Sequence, residues 1–361
     1  MNLLDNLHAL PSDRSALLTG GGSWQRPRFV RPTRIGQGNS ALLGIYQPVH
    51  IHQPPVGVLI CNPFGQEAIR AQRSLRVVAE RLARQAIPSL RFDYFGTGDS
   101  PGEDGCGHLT RWRQDILLAD VHLRQISGCQ RIVWLGLRLG ATLALQAASL
   151  LGDLPHPHRI ILWEPVLDGP AYLNHLARMN EFWTRQSNVT TEALGFLLTT
   201  RIRRHIHTIR ARRLALPLPD VQLDLLATRT LTGRRDFLGR CSKKRVNLHD
   251  HVLQNTVEWT SNTALDSQWV PDEAISTLLE ICALSDPAAD GLPFPGHPPA
   301  TPATGLPVQL PGQQSALRPA PHDPPAIAQP QQTPQTTAST SDPPTARRPS
   351  RLAHPDSLPL G

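Results

Sequence analysis

Four short apolar runs set the fold: VGVLIC (56–61), IPSLRF (87–92), RIVWLG (131–136) and RIILW (159–163). Strands that are apolar along their whole length are buried on both faces, as in a parallel sheet covered by helices on each side. The segments between the runs supply those helices. Residues 68–85 carry Leu75, Val78 and Leu82 at helical spacing, and residues 109–126 carry Trp112, Ile116, Ala119 and Leu123. A Leu/Ala-rich stretch, 139–151, follows the third run. The order β-α-β-α-β-α-β, with right-handed crossovers, predicts an α/β, doubly wound, mostly parallel sheet. Residues 28–34 and 41–47 are predicted as strands ahead of it.

The rhythm breaks after Asp168. Residues 170–216 are Arg-rich and read as helical without a strand, which is how a lid interrupts a sheet. Phe182, Trp183 and Phe196 are expected in the core of this lid. DVQLDLLA (220–227) is predicted to resume the sheet, 245–248 to be its last short strand, and 271–284 the final helix. Residues 1–27 read as an irregular leader and 28–285 as the folded domain. Nineteen of the 35 prolines lie beyond Asp286, and Phe294 is the one aromatic residue there. Such a composition buries too little apolar area to offset ordering entropy, so 287–361 reads as a disordered Pro-rich tail.

The third run leads into Gly-Leu-Arg-Leu-Gly (136–140), followed by the Leu/Ala-rich segment. Strand, sharp turn and helix with G-x-?-x-G spacing is the pattern of a nucleophile elbow, which puts Ser, Cys or Asp at its centre. Here the centre is Arg138, which stays protonated and cannot be a nucleophile.

The formal charge is +7. Four arginines and four aspartates balance within the tail, so the excess lies in the folded body and points to anionic ligands or surfaces. Aromatics interleaved with basic residues are not evident, so nucleic acid is not expected as a partner. The five cysteines show no C-x-x-C spacing, a pattern of reduced thiols that points to the cytoplasm. No basic and apolar signal segment is evident at the start, and no apolar run is long enough to span a membrane. No metal and no cofactor is expected.

Read together, the loops after the strands carry a resemblance. NPFGQE (62–67), DYFGTGDS (93–100) and GLRLG all follow apolar strands, at the sheet edge where open α/β sheets bind ligands. The set resembles the α/β-hydrolase superfamily, and DYFGTGDS looks like the F-D-x-R-G-x-G-x-S loop of its serine aminopeptidase-like members. With WLGLRLG (134–140) and WEPVLDG (163–169), the chain is most similar to the exosortase A system-associated hydrolases of the second type, in which the elbow also carries Arg. Asn62 stands where that branch has Pro, and Gln66 where it has an acidic residue. The resemblance covers about residues 40–285 and implies a helical lid over the active-site edge.

A hydrolase of this fold needs a nucleophile, an acid and a His in that chain order, with backbone donors for an oxyanion. The resemblance assigns Arg138 to the elbow, Asp168 or an aspartate near 220–224 to the acid, and His249 or His251, before the final helix, to the base. Asn62, Phe64, Gly65 and Leu139 are the candidate binding positions of the two loops. Asp168 equally suits a turn, and His249-Asp250-His251 a solvated surface loop. Arg138 admits two roles. At a helix N-terminus it makes a doubly positive floor for a small anionic or acyl ligand; alternatively it pairs with Glu67. The Arg-rich run RIRRHIHTIRARR (201–213), with Ile202, Ile206 and Ile209 at helical spacing, is either a solvated lid face or a contact for an anionic surface or acidic partner. Two functions follow: hydrolysis of an acyl ester or thioester by activated water, or a non-catalytic pseudo-hydrolase that binds an anionic ligand or partner in an exopolysaccharide and protein-sorting system.

Overall fold

A computed structural model of the chain describes residues 30–285, apart from 52–53, 185–191, 256, 258 and 260–269. The leader expected at 1–27 and the tail expected at 287–361 lie outside the described residues.

Ten strands and seven α-helices are described. Eight strands form one sheet in the order β1-β2-β4-β3-β5-β6-β9-β10. β1 (Arg31–Ile35) and β2 (Leu42–Gln47) are an antiparallel pair, and β2 runs antiparallel to β4 (Ser89–Phe92). From β4 onward every pairing is parallel, through β3 (Val56–Cys61), β5 (Arg131–Leu137), β6 (Arg159–Trp163), β9 (Gln222–Ala227) and β10 (Leu248–Val252). The central strands are buried along nearly their whole length, as their apolar runs require.

Alternation divides the core into two layers. Val58, Ile60, Val133, Leu135, Ile161 and Trp163 face one side, where Leu75, Val78 and Leu82 of α1 (Gln66–Arg84) and Ile275 and Leu278 of α7 (Asp272–Ala283) meet them. Trp134 points the other way, donating to Asp120 of α2 (Leu109–Ser127) at 2.7 Å; α3 (Leu139–Ala148) packs beside α2. Each large side chain buried this way contributes about 1.5–3 kcal/mol.

The insertion after β6 begins with α4 (Gly169–Thr184) and ends with α5 (Thr200–His207). A two-residue-per-strand hairpin, β7 (Glu192–Ala193) with β8 (Phe196–Leu197), lies between them, where no strand was expected. Its turn places Leu194 and Gly195 both at positive φ, the conformation that favours a tight hairpin. Phe182 and Trp183 are 71% and 40% exposed and meet each other edge to face, so they are not lid core. The Arg-rich run is helical only to His207; Thr208 caps it, and Ile209 and Ala211 are buried beyond its end. Residue 169 has to be glycine. A Cβ there would lie 1.7 Å from the carbonyl oxygen of Ile206, and Gly169 N–H donates to Ile209 C=O at 2.9 Å.

After β9 the chain forms α6 (Arg234–Lys243) and turns at Arg245, whose φ is 53°. A strand cannot pass through that left-handed turn, so the last strand lies at 248–252 rather than 245–248. His249, Asp250 and His251 are therefore in the edge strand β10, not in a loop.

Candidate functional site

The elbow depends on its two glycines. A Cβ on Gly136 would lie 2.3 Å from Ala141 Cα, and one on Gly140 would lie 2.3 Å from the carbonyl oxygens of both Cys61 and Asn62. Without side chains there, α3 folds back against β5 and lies across the end of β3. Arg138 sits between them at φ 54°, ψ −122°. A non-glycine residue held in that region costs on the order of 1–3 kcal/mol, so the surrounding structure fixes it. Arg138 N–H donates to Trp163 C=O at 3.0 Å, and Arg138 C=O accepts from Ala141 and Val166.

The Arg138 side chain is held on three sides. Nε donates to Glu67 Oε1 at 2.9 Å, and Nη1 donates to Glu164 C=O at 3.3 Å. The guanidinium lies 5.6 Å from the centre of the Tyr172 ring, within cation–π reach. Glu67, in the first turn of α1, is 1% exposed, and its Oε2 accepts from the Tyr172 hydroxyl at 2.8 Å. Burial alone lowers the Arg138 pKa; the charges of Glu67, Tyr172 and Glu164 outweigh it and hold the guanidinium above its ordinary value. Burial beside Glu67 keeps the Tyr172 phenol protonated. Nη2 makes no hydrogen bond to the described residues, and the Arg138 side chain is 18% exposed.

That exposed edge faces a cavity of about 300 Å³. Its walls come from the elbow, the loop after β6, the lid helix α4 and the loops after β9 and β10. Glu164 (φ 45°) accepts from Trp259 Nε1 at 3.1 Å, and Trp259 packs edge-on against Trp163. His175 and Arg178 of α4 and Thr228 and Thr230 complete the polar lining.

The residues singled out from the sequence are only partly brought together. Arg138 and Glu67 are in contact. Asp168 lines the same cavity, but its carboxylate accepts from Ala171 N–H at 2.9 Å, an N-cap of α4, and its backbone bridges Arg210. His249 and His251 are elsewhere. β10 lies three strands from β5, about 14 Å at the usual strand spacing. Both rings turn towards Asp224 of β9, whose other carboxylate oxygen accepts from Arg159. Residues 253–271, between β10 and α7, contain no histidine.

Asn62, Phe64 and Gly65 line a second cavity, of about 170 Å³, with Tyr94, Trp112, Phe196 and Ile202. Leu139 is fully buried. Asn62 Nδ2 donates to Phe92 C=O at 2.8 Å, tying the first loop to the second. The second loop is organised by Asp93, which accepts from Asp99 N–H, and by Ser100, whose hydroxyl donates to Asp93 C=O and accepts from Leu43 N–H. Burial raises the Asp93 pKa, with the Asp99 N–H opposing it.

Sequence reasoning missed Tyr172, Glu164, His175 and Arg178. Glu164 directly follows β6 and was legible as a strand-end residue; the three lid residues depend on how α4 docks, which no local pattern encodes.

No protein-family model matches the chain, and a search of curated proteins finds no match. Solved structures do. Est1E of Butyrivibrio proteoclasticus, described with ferulic acid bound, is 18% identical with a TM-score of 0.50, covering 70% of this chain and 99% of its own. The esterase Pf2001 of Pyrococcus furiosus is 16% identical with a TM-score of 0.50, covering 72% of this chain and 91% of its own. The fold is that of the α/β hydrolases. In this chain the β5–α3 turn carries the Gly-x-Arg-x-Gly spacing, and the insertion after β6 runs over 169–209. Among the described residues no helix is long and apolar enough to cross a membrane.

Proposed function

We propose that this chain is a binding protein on the α/β-hydrolase fold, one that holds a carboxylate- or phosphate-bearing ligand above Arg138 without cleaving it. The observation that carries this reading is the Arg138–Glu67 ion pair at the elbow. The position that a serine would occupy is filled by a cation with no nucleophilic lone pair. Asp168 serves as a helix cap, and His249 and His251 turn to Asp224. Arg138 retains Nη2, and as the N-cap of α3 it stands at the helix end whose dipole also favours an anion. Arg178 on the far wall adds a second cation.

The alternative, hydrolysis of an acyl ester or thioester by water, needs a base next to the bound carbonyl. Glu67 is the nearest carboxylate, and both its oxygens are engaged, one by Arg138 and one by Tyr172. This favours binding over turnover.

The NPFGQE, GDS, WLGLRLG and WEPVLDG segments also support the finer reading: a relative of the exosortase A system-associated hydrolases of the second type, serine aminopeptidase-like in ancestry, acting in an exopolysaccharide and protein-sorting system. Free thiols at all five cysteines fit a cytoplasmic site of action. The exposed arginines Arg201, Arg204, Arg212 and Arg213 give the lid a basic surface suited to an acidic partner or an anionic surface.

The test is paired calorimetry and turnover on the full chain, using octanoate and inorganic phosphate as binding probes and p-nitrophenyl and thioester acyl substrates. Saturable binding of one probe, weakened at least tenfold by Arg138→Gln, with no acyl turnover above background, is expected. Turnover by the native chain that Arg138→Ala abolishes would overturn the binding reading, as would probe affinity unchanged by Arg138→Gln.

A further inference from the structure

We propose that Asp224, His249 and His251 form a divalent metal site that takes Zn2+ and ties the edge strand β10 to β9. It is independent of the Arg138 cavity. The three residues each offer a ligand atom, and these atoms all lie within 4.8 Å of one another. His249 and His251 are two apart on β10, so their rings leave the same face of the strand. Asp224 stands directly opposite His249 in the parallel register. His251 Nε2 is 2.8 Å from Asp224 Oδ1, and His249 Nδ1 is 3.7 Å from it.

Zinc bonds of about 2.0–2.1 Å at tetrahedral angles separate ligand atoms by about 3.3–3.4 Å. Of the three separations in the cluster, 2.8 Å is shorter than this, 3.7 Å is longer, and the third, between the two ring nitrogens, is within 4.8 Å. The imidazole rings, one of them 54% exposed, are free on the solvent side to turn towards that spacing. Two imidazoles and one carboxylate, open to solvent on the exposed side, suit zinc better than calcium or magnesium.

The surrounding groups prepare the ligands. Arg159 Nη1 donates to Asp224 Oδ2 at 2.8 Å, which leaves Oδ1 as the coordinating oxygen. Arg159 Nη2 donates to Gln222 Oε1 at 2.7 Å, which fixes that amide so that its Nε2 faces His249 Nδ1 at 2.9 Å. The Gln222 amide therefore calls for a lone pair on His249 Nδ1, the ligating atom. On binding, the Gln222 amide yields that lone pair to the metal, and the proton His251 shares with Asp224 moves to its other ring nitrogen. Asp250 takes no part, since it pairs with Arg234 at 2.6 Å. The Arg159 hydrogen bond falls on the non-ligating oxygen of Asp224 and so orients that ligand from outside the site.

The experiment is Zn2+ titration of the metal-stripped full chain against a chelating dye, with thermal unfolding followed in parallel. One equivalent of Zn2+ is expected to bind and to raise the melting temperature. His249→Ala and His251→Ala are each expected to weaken that binding at least tenfold and remove the thermal shift. His207→Ala, on the lid, is expected to change neither. Both test substitutions are at exposed or half-buried positions, which spares the buried Arg159–Asp224 pair. Binding that is absent, or unchanged in both histidine variants, overturns the site.

Discussion

Arg138 Nε and Glu67 Oε1 lie 2.9 Å apart, joining the β5–α3 turn to the first turn of α1 at the C-terminal ends of the parallel strands. The two residues are 71 positions apart in sequence, and the Tyr172 hydroxyl closes the arrangement from the lid. A buried pair of this kind contributes little over an apolar replacement, but losing one partner leaves a charge stranded.

Glu67→Leu and Arg138→Leu are therefore each expected to destabilise the domain by about 3–5 kcal/mol, while the two substitutions combined recover most of that loss. Urea unfolding of the two single variants and the double variant measures the coupling directly. Additive losses would mean that the two charges do not depend on each other.

Tyr172→Phe keeps the ring beneath the guanidinium and removes only the hydrogen bond to Glu67 Oε2. Hydrogen bonds to charged groups are worth about 1.5–3 kcal/mol, and the substitution should lower stability by an amount in that range. Chemical denaturation compared with native protein gives the figure, and no change would place the hydroxyl outside the network.

Gly140→Ala pushes a methyl group into two backbone carbonyls at 2.3 Å. Backbone cannot rotate away as a side chain can, so α3 has to shift from β3, at a cost of about 3 kcal/mol or more. Gly239, whose added Cβ would meet nothing within 4 Å, is the matched control. Gly239→Ala should be neutral or slightly stabilising in the same thermal melt.

His108 caps α2 by accepting from Arg111 N–H, which requires a neutral imidazole. Burial, followed by Arg201, His205, Arg111 and Arg113, lowers its pKa from 6.5 to about 4. The unfolded chain therefore takes up a proton before the folded one does. Stability from this group is complete above about pH 6.5 and is lost as the pH falls towards 4. His108→Asn keeps a capping acceptor and removes the titration, so its stability should decline less steeply across that window. Equal slopes for the two proteins would assign the acid sensitivity to other groups.

Much of the fold was legible because burial on both faces leaves an unmistakable apolar run: 159–163 was read with its observed bounds, and β5 extended its predicted run by one residue. The elbow was legible for a related reason, since only glycines at 136 and 140 permit that return of the helix. Strand β10 was misplaced because an edge strand half in solvent has no such run; His249 and Asp250 read as polar loop. The lid was the least legible part. Phe182 and Trp183 look like core by composition, but hydrophobicity alone does not say which face of α4 meets the sheet. The Arg138–Glu67 pair was one of two alternatives because both residues follow neighbouring strands. Tyr172 depends on lid docking and had no local signal.

The lid enters and leaves the sheet at a single point, where Asp168 bridges Arg210 and Gly169 is pressed against Ile206. An insertion whose two ends already touch leaves the strands on either side of it undisturbed by its length. Its length can change without moving β6 or β9, so residues 169–209 are a modular unit of the chain, tied to the body by the Tyr172 hydroxyl on Glu67.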